Sequence, residues 1–280
     1  GNQLAVFPDA TNIPEKLLQK IAREFNFSET TFVFPAENKI NDCKVRIFTP
    51  GMEIPMAGHP TIGTAYILLT RGVMNRRNKN FLILEEKVGD IRVDYIEDSN
   101  GFHSITMRQP LPVFGPVEKD FKLLAGILSI SSDEINPDHP IQSVSCGNNF
   151  LFIPVKTLKA MHRIEIRNEL LKEAKLQLDS TEMFVFTEET IYATSRFHCR
   201  MFAPLFGIYE DPATGSAAGP FGCYLFKNKI VNTFPVLLEQ GFEMGRPSML
   251  TVDIESSNDN ITAVKVSGDV VLVSEGLLYI

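Results

Sequence analysis

Hydrophobic residues recur at helical spacing near the start of the chain and at strand spacing soon afterwards. The first helical pattern places five apolar residues on one face: Leu17, Leu18, Ile21, Ala22 and Phe25. Asn12 is positioned to cap this helix, and Pro14 suits its first turn. Farther on, Val45 and Ile47 alternate with polar residues, which is typical of a strand with one buried face.

The remaining pattern alternates between short strands and a few helices. Further helices are predicted at 60–69, 118–128, 168–176 and 216–226. Further strands are predicted at 32–34, 81–84, 91–95, 103–107, 151–155, 184–186, 197–202, 236–238, 250–253, 263–266 and 270–273. Three prolines, Pro110, Pro112 and Pro116, predict a linker, so we divide the chain into residues 1–113 and 114–280, with the C-terminal strand joining the first part.

These two parts repeat the same order of elements. Phe32-Val33-Phe34 and the later Arg46-Ile47-Phe48 recur as Phe184-Val185-Phe186 and Arg200-Met201-Phe202. Each copy continues through a glycine turn, at Gly58 or Gly215, into a helix of small residues. A repeat of this kind predicts two duplicated α+β halves with a ligand cleft between them. Two helix N-termini in one cleft would offer unpaired N–H groups to an anion such as a carboxylate.

Composition narrows the possible partners. The 280 residues are 44% hydrophobic and 22% charged, with a formal net charge of −7. The four cations between Arg71 and Lys79 are interrupted and predict a solvated loop, so we expect no nucleic-acid partner. Apolar runs fall far short of the ~20 residues that a membrane helix needs. The four cysteines form no C-x-x-C pair, which disfavours zinc and favours reduced thiols in a cytoplasm.

Three acid–base residues lie beside the repeated motifs. Glu29 precedes the Phe32 strand, and the repeat offset pairs it with Thr181, so the fold itself does not require an acid there. His59 and Asp211 flank the two glycine turns. Each has a structural alternative, because Glu29 could be a solvated residue, His59 a helix cap and Asp211 a turn residue.

Other polar residues near the turns are weaker candidates. Ser216 could cap its helix, bind a ligand, or do both. Gly147 and Asn148 could line a cleft, although a plain turn explains them equally simply. His198 alternates with apolar neighbours and is expected to face solvent. The histidines show no metal-ligand spacing, and we expect neither a metal nor a cofactor.

Three segments together resemble the PhzF family, the phenazine-biosynthesis-like isomerases. They are Ser28–Val33, Arg46–His59 and Glu210–Pro220, and the resemblance extends over essentially the whole chain. It implies the diaminopimelate-epimerase-like fold, in which each pseudo-symmetric half is a curled, mostly antiparallel sheet around a central helix. It also implies a homodimer and a cofactor-free proton shift on a small anionic metabolite.

The resemblance also suggests roles for individual residues. Glu29 matches the catalytic glutamate, whereas His59 and Asp211 match residues that position substrate or relay protons. Gly58, Gly215 and Ser216 match turns that hold the substrate carboxylate. The chain departs from the family pattern at Gln3, where a proline is usual, and in lacking a strand before Gly1-Asn2, so we expect the natural N-terminus to lie upstream.

Two other functions remain open. Cysteine-dependent epimerases and racemases of the same fold carry thiols at the two turns, where this chain has Ala57 and Thr214. The second alternative is a small-molecule binding protein that has kept the fold and lost catalysis. The retained Glu29, His59 and Asp211 argue against it, although a binding pocket could keep them too.

Overall fold

The computed structural model describes residues 1–72, 79–98 and 101–279. The helices are α1 Glu15–Phe25, α2 Gly58–Thr70, α3 Phe121–Leu128, α4 Leu158–His162, α5 Asn168–Ala174 and α6 Gly215–Lys227. The strands are β1 Leu4–Phe7, β2 Glu29–Phe34, β3 Cys43–Phe48, β4 Glu53–Ile54, β5 Phe81–Glu86, β6 Gly89–Asp98, β7 Gly101–Gln109, β8 Val113–Glu118, β9 Ile141–Ser145, β10 Asn149–Pro154, β11 Met183–Thr187, β12 Phe197–Ala203, β13 Ile208–Asp211, β14 Val236–Gln240, β15 Ser248–Ser257 and β16 Asn260–Gly268.

The strands pair in an order that occurs twice. In the first half, β1 is parallel to β2, β2 is antiparallel to β3, β3 is parallel to β5, and β5, β6 and β7 form an antiparallel meander. In the second half, β10, β11, β12, β14, β15 and β16 repeat this sequence of pairings. An antiparallel pair between β7 and β16 joins the halves into one sheet.

One central helix lies inside each half. The sheet curls around α2 and α6, so these helices are buried on most sides and need apolar or small residues all round. Around α6 the core is aromatic, with Phe152, Phe184 and Phe186 packed against Phe221 and Tyr224. Helix α1 lies outside the curl and buries only one face, as its amphipathic pattern predicts.

Several local predictions are wrong. Helix α1 follows Pro14 directly and has no side-chain cap, so Asn12 does not cap it. The proline-rich segment is not a free linker, because Val113–Glu118 forms β8 and pairs with β9. Residues 269–279 form no strand, although Val270 packs against the core around α2. Residues 73–78 of the expected cationic loop lie outside the described part of the chain.

The structural register of the repeat differs by one residue from the sequence match. Arg46 and Arg200 each bind a carboxylate through two nitrogens, and they occupy equivalent strands. Phe32 pairs with Arg46, whereas Val185 pairs with Arg200. Phe32 therefore corresponds to Val185, not to Phe184, because a slip of one residue exchanges the two faces of a strand. Counting back along both strands, the counterpart of Glu29 is Glu182 rather than Thr181.

No helix within the described residues is both long enough and apolar enough to cross a membrane.

Candidate active site

The two glycine turns predicted from the sequence meet in the structure. A Cβ atom built on Gly58 would lie 2.5 Å from the Cα of Gly215, and one on Gly215 would lie 3.1 Å from the Cα of Gly58. A side chain at Gly58 would collide with the opposite backbone, and one at Gly215 would make an unusually tight contact with it. No side chain caps α2 or α6. The first N–H groups of both helices, with their positive dipole ends, consequently lie at one place between the halves.

Glu29 and His59 form a close pair beside this junction. Glu29 is the first residue of β2 and is only 6% exposed, and His59 is the second residue of α2. Glu29 Oε2 lies 2.9 Å from His59 Nε2. Neither atom makes an aligned hydrogen bond to any described residue, although both are buried. A carboxyl group and an imidazole at this distance can exchange a proton with each other and with a molecule bound beside them.

Asp211 reaches the same place from the second half. It is the last residue of β13 and is 7% exposed. Its Oδ2 accepts a hydrogen bond of 2.5 Å from the Thr214 hydroxyl. The amide of Gln240 donates to the Asp211 carbonyl at 2.7 Å and to Thr214 Oγ1 at 2.9 Å. These bonds fix the turn that leads into α6.

Asn2 connects the two halves, and the sequence analysis did not single it out. Its Nδ2 lies 2.6 Å from Asp211 Oδ1 and 3.2 Å from His59 Nδ1. Its Oδ1 accepts a hydrogen bond of 2.5 Å from Ser28 Oγ. One carboxamide thus links groups from three segments of the chain. The only sequence signal for it is the Gly1-Asn2 step noted in the family resemblance.

With this geometry established, we compared the chain with known proteins. The family model for phenazine biosynthesis-like proteins matches residues 1–276. The chain belongs to this family. Trans-2,3-dihydro-3-hydroxyanthranilate isomerase from Pseudomonas fluorescens is 35% identical over 100% of this chain and 94% of its own length. An uncharacterized isomerase from Mesorhizobium japonicum is 34% identical over 100% of this chain and 94% of its own length.

A solved structure of the same family has a similar fold. A PhzF-family phenazine biosynthesis protein from Bacillus anthracis superposes with a TM-score of 0.86 and 29% identity, over 96% of this chain and 90% of its own. The predicted α+β fold of two pseudo-symmetric halves is confirmed, and the chain is an isomerase of the PhzF family.

Electrostatic coupling shifts the acid–base properties of this PhzF site. Burial alone would lower the pKa of His59, but the nearby Glu29 and Asp211 carboxylates outweigh burial and raise it. Burial and the charge of Glu29 raise the pKa of Asp211 to about 6, although His59 and two hydrogen bonds oppose the shift. The pKa values of His59 and Asp211 are therefore both perturbed beside Glu29, an arrangement that is common where proton transfer is catalysed.

The other predicted ligand-binding residues lie near this junction. Ser216 follows Gly215 in the first turn of α6 and is 9% exposed. Gly147 adopts a φ of 117°, and a Cβ there would lie 3.3 Å from Met56 Cε, just before the start of α2. Asn148 follows in the same turn and is half-buried. No comparison tests their roles, which stay predictions.

None of the four cysteines occupies either of the two turns. All four are buried, and Cys146 Sγ packs 3.9 Å from Cys223 Sγ. Burial raises the pKa of Cys43 and Cys199, which disfavours thiolates. Ala57 and Thr214 occupy the positions where a cysteine-dependent racemase would need thiols.

His198 contradicts its prediction, because it is fully buried. Its Nδ1 lies 2.8 Å from Glu239 Oε1, and its Nε2 lies 2.9 Å from Glu243 Oε1. Carboxylates at both ring nitrogens require both to donate, so the ring binds as an imidazolium. This cluster stabilises the second half and is separate from the Glu29 site.

Proposed function

We propose that this isomerase moves a proton on a small carboxylate-bearing metabolite without a cofactor, with Glu29 as the general acid and base. The observation that carries the proposal is the 2.9 Å pair of buried Glu29 and half-buried His59, beside two converging helix starts. Glu29 would take a proton from one carbon and return it to another, while a double bond moves between them. The reaction is redox-neutral, so it needs only a base and an acid.

The helix starts supply the binding half of this proposal. A substrate carboxylate would accept hydrogen bonds from the free N–H groups at the beginning of α2 and α6. The two helix dipoles favour an anion at this point. Because Gly58 and Gly215 carry no side chains, the anion can approach the backbone closely. Binding of the carboxylate at this point would hold the reacting carbon of the substrate next to Glu29.

His59 and Asp211 would hold and share protons around Glu29. A protonated His59 offsets the negative charge of the two carboxyl groups, and its raised pKa favours that form. Asn2, which lies within hydrogen-bond distance of both side chains, would hold His59 and Asp211 in fixed positions relative to each other. The proton that Glu29 accepts can therefore stay within the cluster until it is returned to the product.

The named relative provides the first substrate to try, trans-2,3-dihydro-3-hydroxyanthranilate. The experiment incubates this compound with the enzyme in heavy water and follows the product by NMR and mass spectrometry. Turnover with deuterium at the newly protonated carbon, or internal return of the substrate hydrogen, supports the proposal. Tight binding with neither turnover nor exchange would instead indicate a binding protein. The homodimer stays a prediction, which light scattering can test.

A further inference from the structure

The second half carries an acidic residue at the position equivalent to Glu29. Arg46 and Arg200 are equivalent, and their strand partners are Phe32 and Val185. Three residues before each partner stand Glu29 and Glu182. The two carboxyl groups are thus related by the pseudo-symmetry of the fold, with Glu29 as the first residue of β2 and Glu182 directly before β11.

The packing of the central helices supports this correspondence. In the first half, Thr31 on β2 faces Thr64 on α2, with hydroxyl oxygens 2.8 Å apart. The same register pairs Phe184 with Phe221, whose rings lie 5.2 Å apart. Glu29 and Glu182 stand two residues before Thr31 and Phe184, on the same face of the pleat. Likewise, the residue of α6 that is equivalent to His59 of α2 is Ser216. From the alternation along the strand we infer that Glu182, the residue before β11, is on the side of Phe184, which packs against α6.

The turn that precedes the neighbouring strand also has an equivalent in the second half. Leu4 pairs with Glu29, and the register of Leu151 with Met183 places Phe150 beside Glu182. Leu4 and Phe150 are then equivalent, and two residues before each stands an asparagine that follows a glycine, Asn2 or Asn148. The second half consequently brings Asn148, Glu182 and Ser216 to positions that Asn2, Glu29 and His59 occupy in the first.

The two groups of equivalent residues differ in the side chain at the start of the central helix. In the first half, the imidazole of His59 reaches across to Glu29. In the second half, Ser216 has only a hydroxymethyl group, and no hydrogen bond among the described residues joins it to Glu182 or Asn148. Ser216 therefore places no imidazole beside Glu182, unlike His59 beside Glu29. Glu182 itself is half-buried, and burial raises its pKa to about 7.

We propose that Glu182 binds the substrate on the second-half side of the cleft, where its carboxyl group accepts a hydrogen bond from a hydroxyl or amino group. The carboxylate of the same substrate occupies the helix starts at Gly58 and Gly215. Glu182 thus selects metabolites that carry a hydrogen-bond donor beside their carboxylate. This inference rests on the proposed function, because it assumes that Glu29 and the helix starts bind the same molecule.

Three variants test Glu182 by steady-state kinetics with trans-2,3-dihydro-3-hydroxyanthranilate. Glu182→Leu keeps the volume but removes the acceptor, and we expect KM to rise at least tenfold while kcat stays within threefold. Glu182→Gln keeps an acceptor oxygen, and we expect KM within threefold of that of the unmodified enzyme. Glu173→Ala, at an exposed position on α5, is the control and should change neither constant. Unchanged KM in Glu182→Leu would overturn the proposal.

A binding measurement separates this inference from the proposed function. Calorimetry with 3-hydroxyanthranilate, an aromatic analogue that keeps the carboxylate, amino and hydroxyl groups, reports Kd without turnover. We expect Glu182→Leu to weaken binding at least tenfold, and Glu29→Gln to weaken it less than threefold. Equal Kd values for Glu182→Leu and the unmodified enzyme would refute the role of Glu182. Full turnover by Glu29→Gln would instead refute the proposed mechanism and leave the Glu182 result standing.

Discussion

Gly58 and Gly215 begin the two central helices in direct backbone contact. A methyl group on Gly58 would lie 2.5 Å from the opposite backbone, which cannot move aside without displacing α6. We therefore expect Gly58→Ala to lower the free energy of unfolding by about 1–3 kcal/mol and to reduce turnover at least a hundredfold. Urea unfolding and activity assays measure both. Gly51→Ala is the control, because its nearest neighbour is Thr49 Oγ1 at 3.8 Å; equal behaviour of the two variants would contradict the contact.

Asn2 positions His59 and Asp211 across the halves. Asn2→Leu removes the amide, so Asp211 Oδ1 loses its 2.6 Å donor and the Ser28 hydroxyl loses its acceptor. We expect kcat to fall at least tenfold while the circular dichroism spectrum stays the same. Asn41→Leu is the matched control, since Asn41 is buried and bonds to Glu85 outside the site. If both variants keep full kcat, Asn2 has no positioning role.

The His198 cluster should make stability depend on pH. Burial acts to lower the pKa of His198, but hydrogen bonds and charges from Glu243 and Glu239 outweigh it and raise the pKa. The stabilisation is complete below the unfolded-state value of ~6.5 and is lost as pH rises through the higher folded-state value. We expect His198→Gln to lower the free energy of unfolding by ~3 kcal/mol at pH 6 and by less at pH 9.

Urea titrations at the two pH values measure this difference. His139→Gln is the comparison, because His139 pairs at 3.0 Å with a more exposed carboxylate, that of Glu188, and should cost under ~1 kcal/mol. A loss in His198→Gln that is equal at pH 6 and pH 9 would contradict an imidazolium in the folded state.

Alkylation should leave the native enzyme active. All four thiols are buried, and none occupies the turn positions of Ala57 or Thr214. We expect iodoacetamide to leave turnover within twofold of the untreated enzyme, while the urea-unfolded chain takes up label on its four cysteines. Complete inactivation that substrate prevents would instead favour the cysteine-dependent alternative.

Features set by local pattern were predictable from the sequence. The buried face of α1 follows from helical spacing, and the turns at Gly58 and Gly215 follow from glycine before a run of small residues. The repeat was visible, but its register was not. Phe-Val-Phe can be aligned in either of two ways, and only the strand partners Arg46 and Arg200 decide between them.

Features set by distant contacts were not predictable. Asn2 bonds to residues 57 and 209 positions away, so no short motif reveals its bridge. His198 reads as one polar position in a strand, and its burial depends on carboxylates 41 and 45 positions later. Asn2 acquires its role only when the two halves meet, and His198 only when β12 pairs with β14.

Exchange in heavy water by the Glu29→Gln variant tests the central claim most directly. The amide is nearly isosteric with the carboxyl group and can still lie beside His59, but it cannot accept a proton from carbon. With a substrate that the unmodified enzyme turns over, the account predicts a folded variant that binds the compound and shows at least a thousandfold slower turnover and deuterium incorporation. Turnover and deuterium incorporation at the unmodified rate would contradict it.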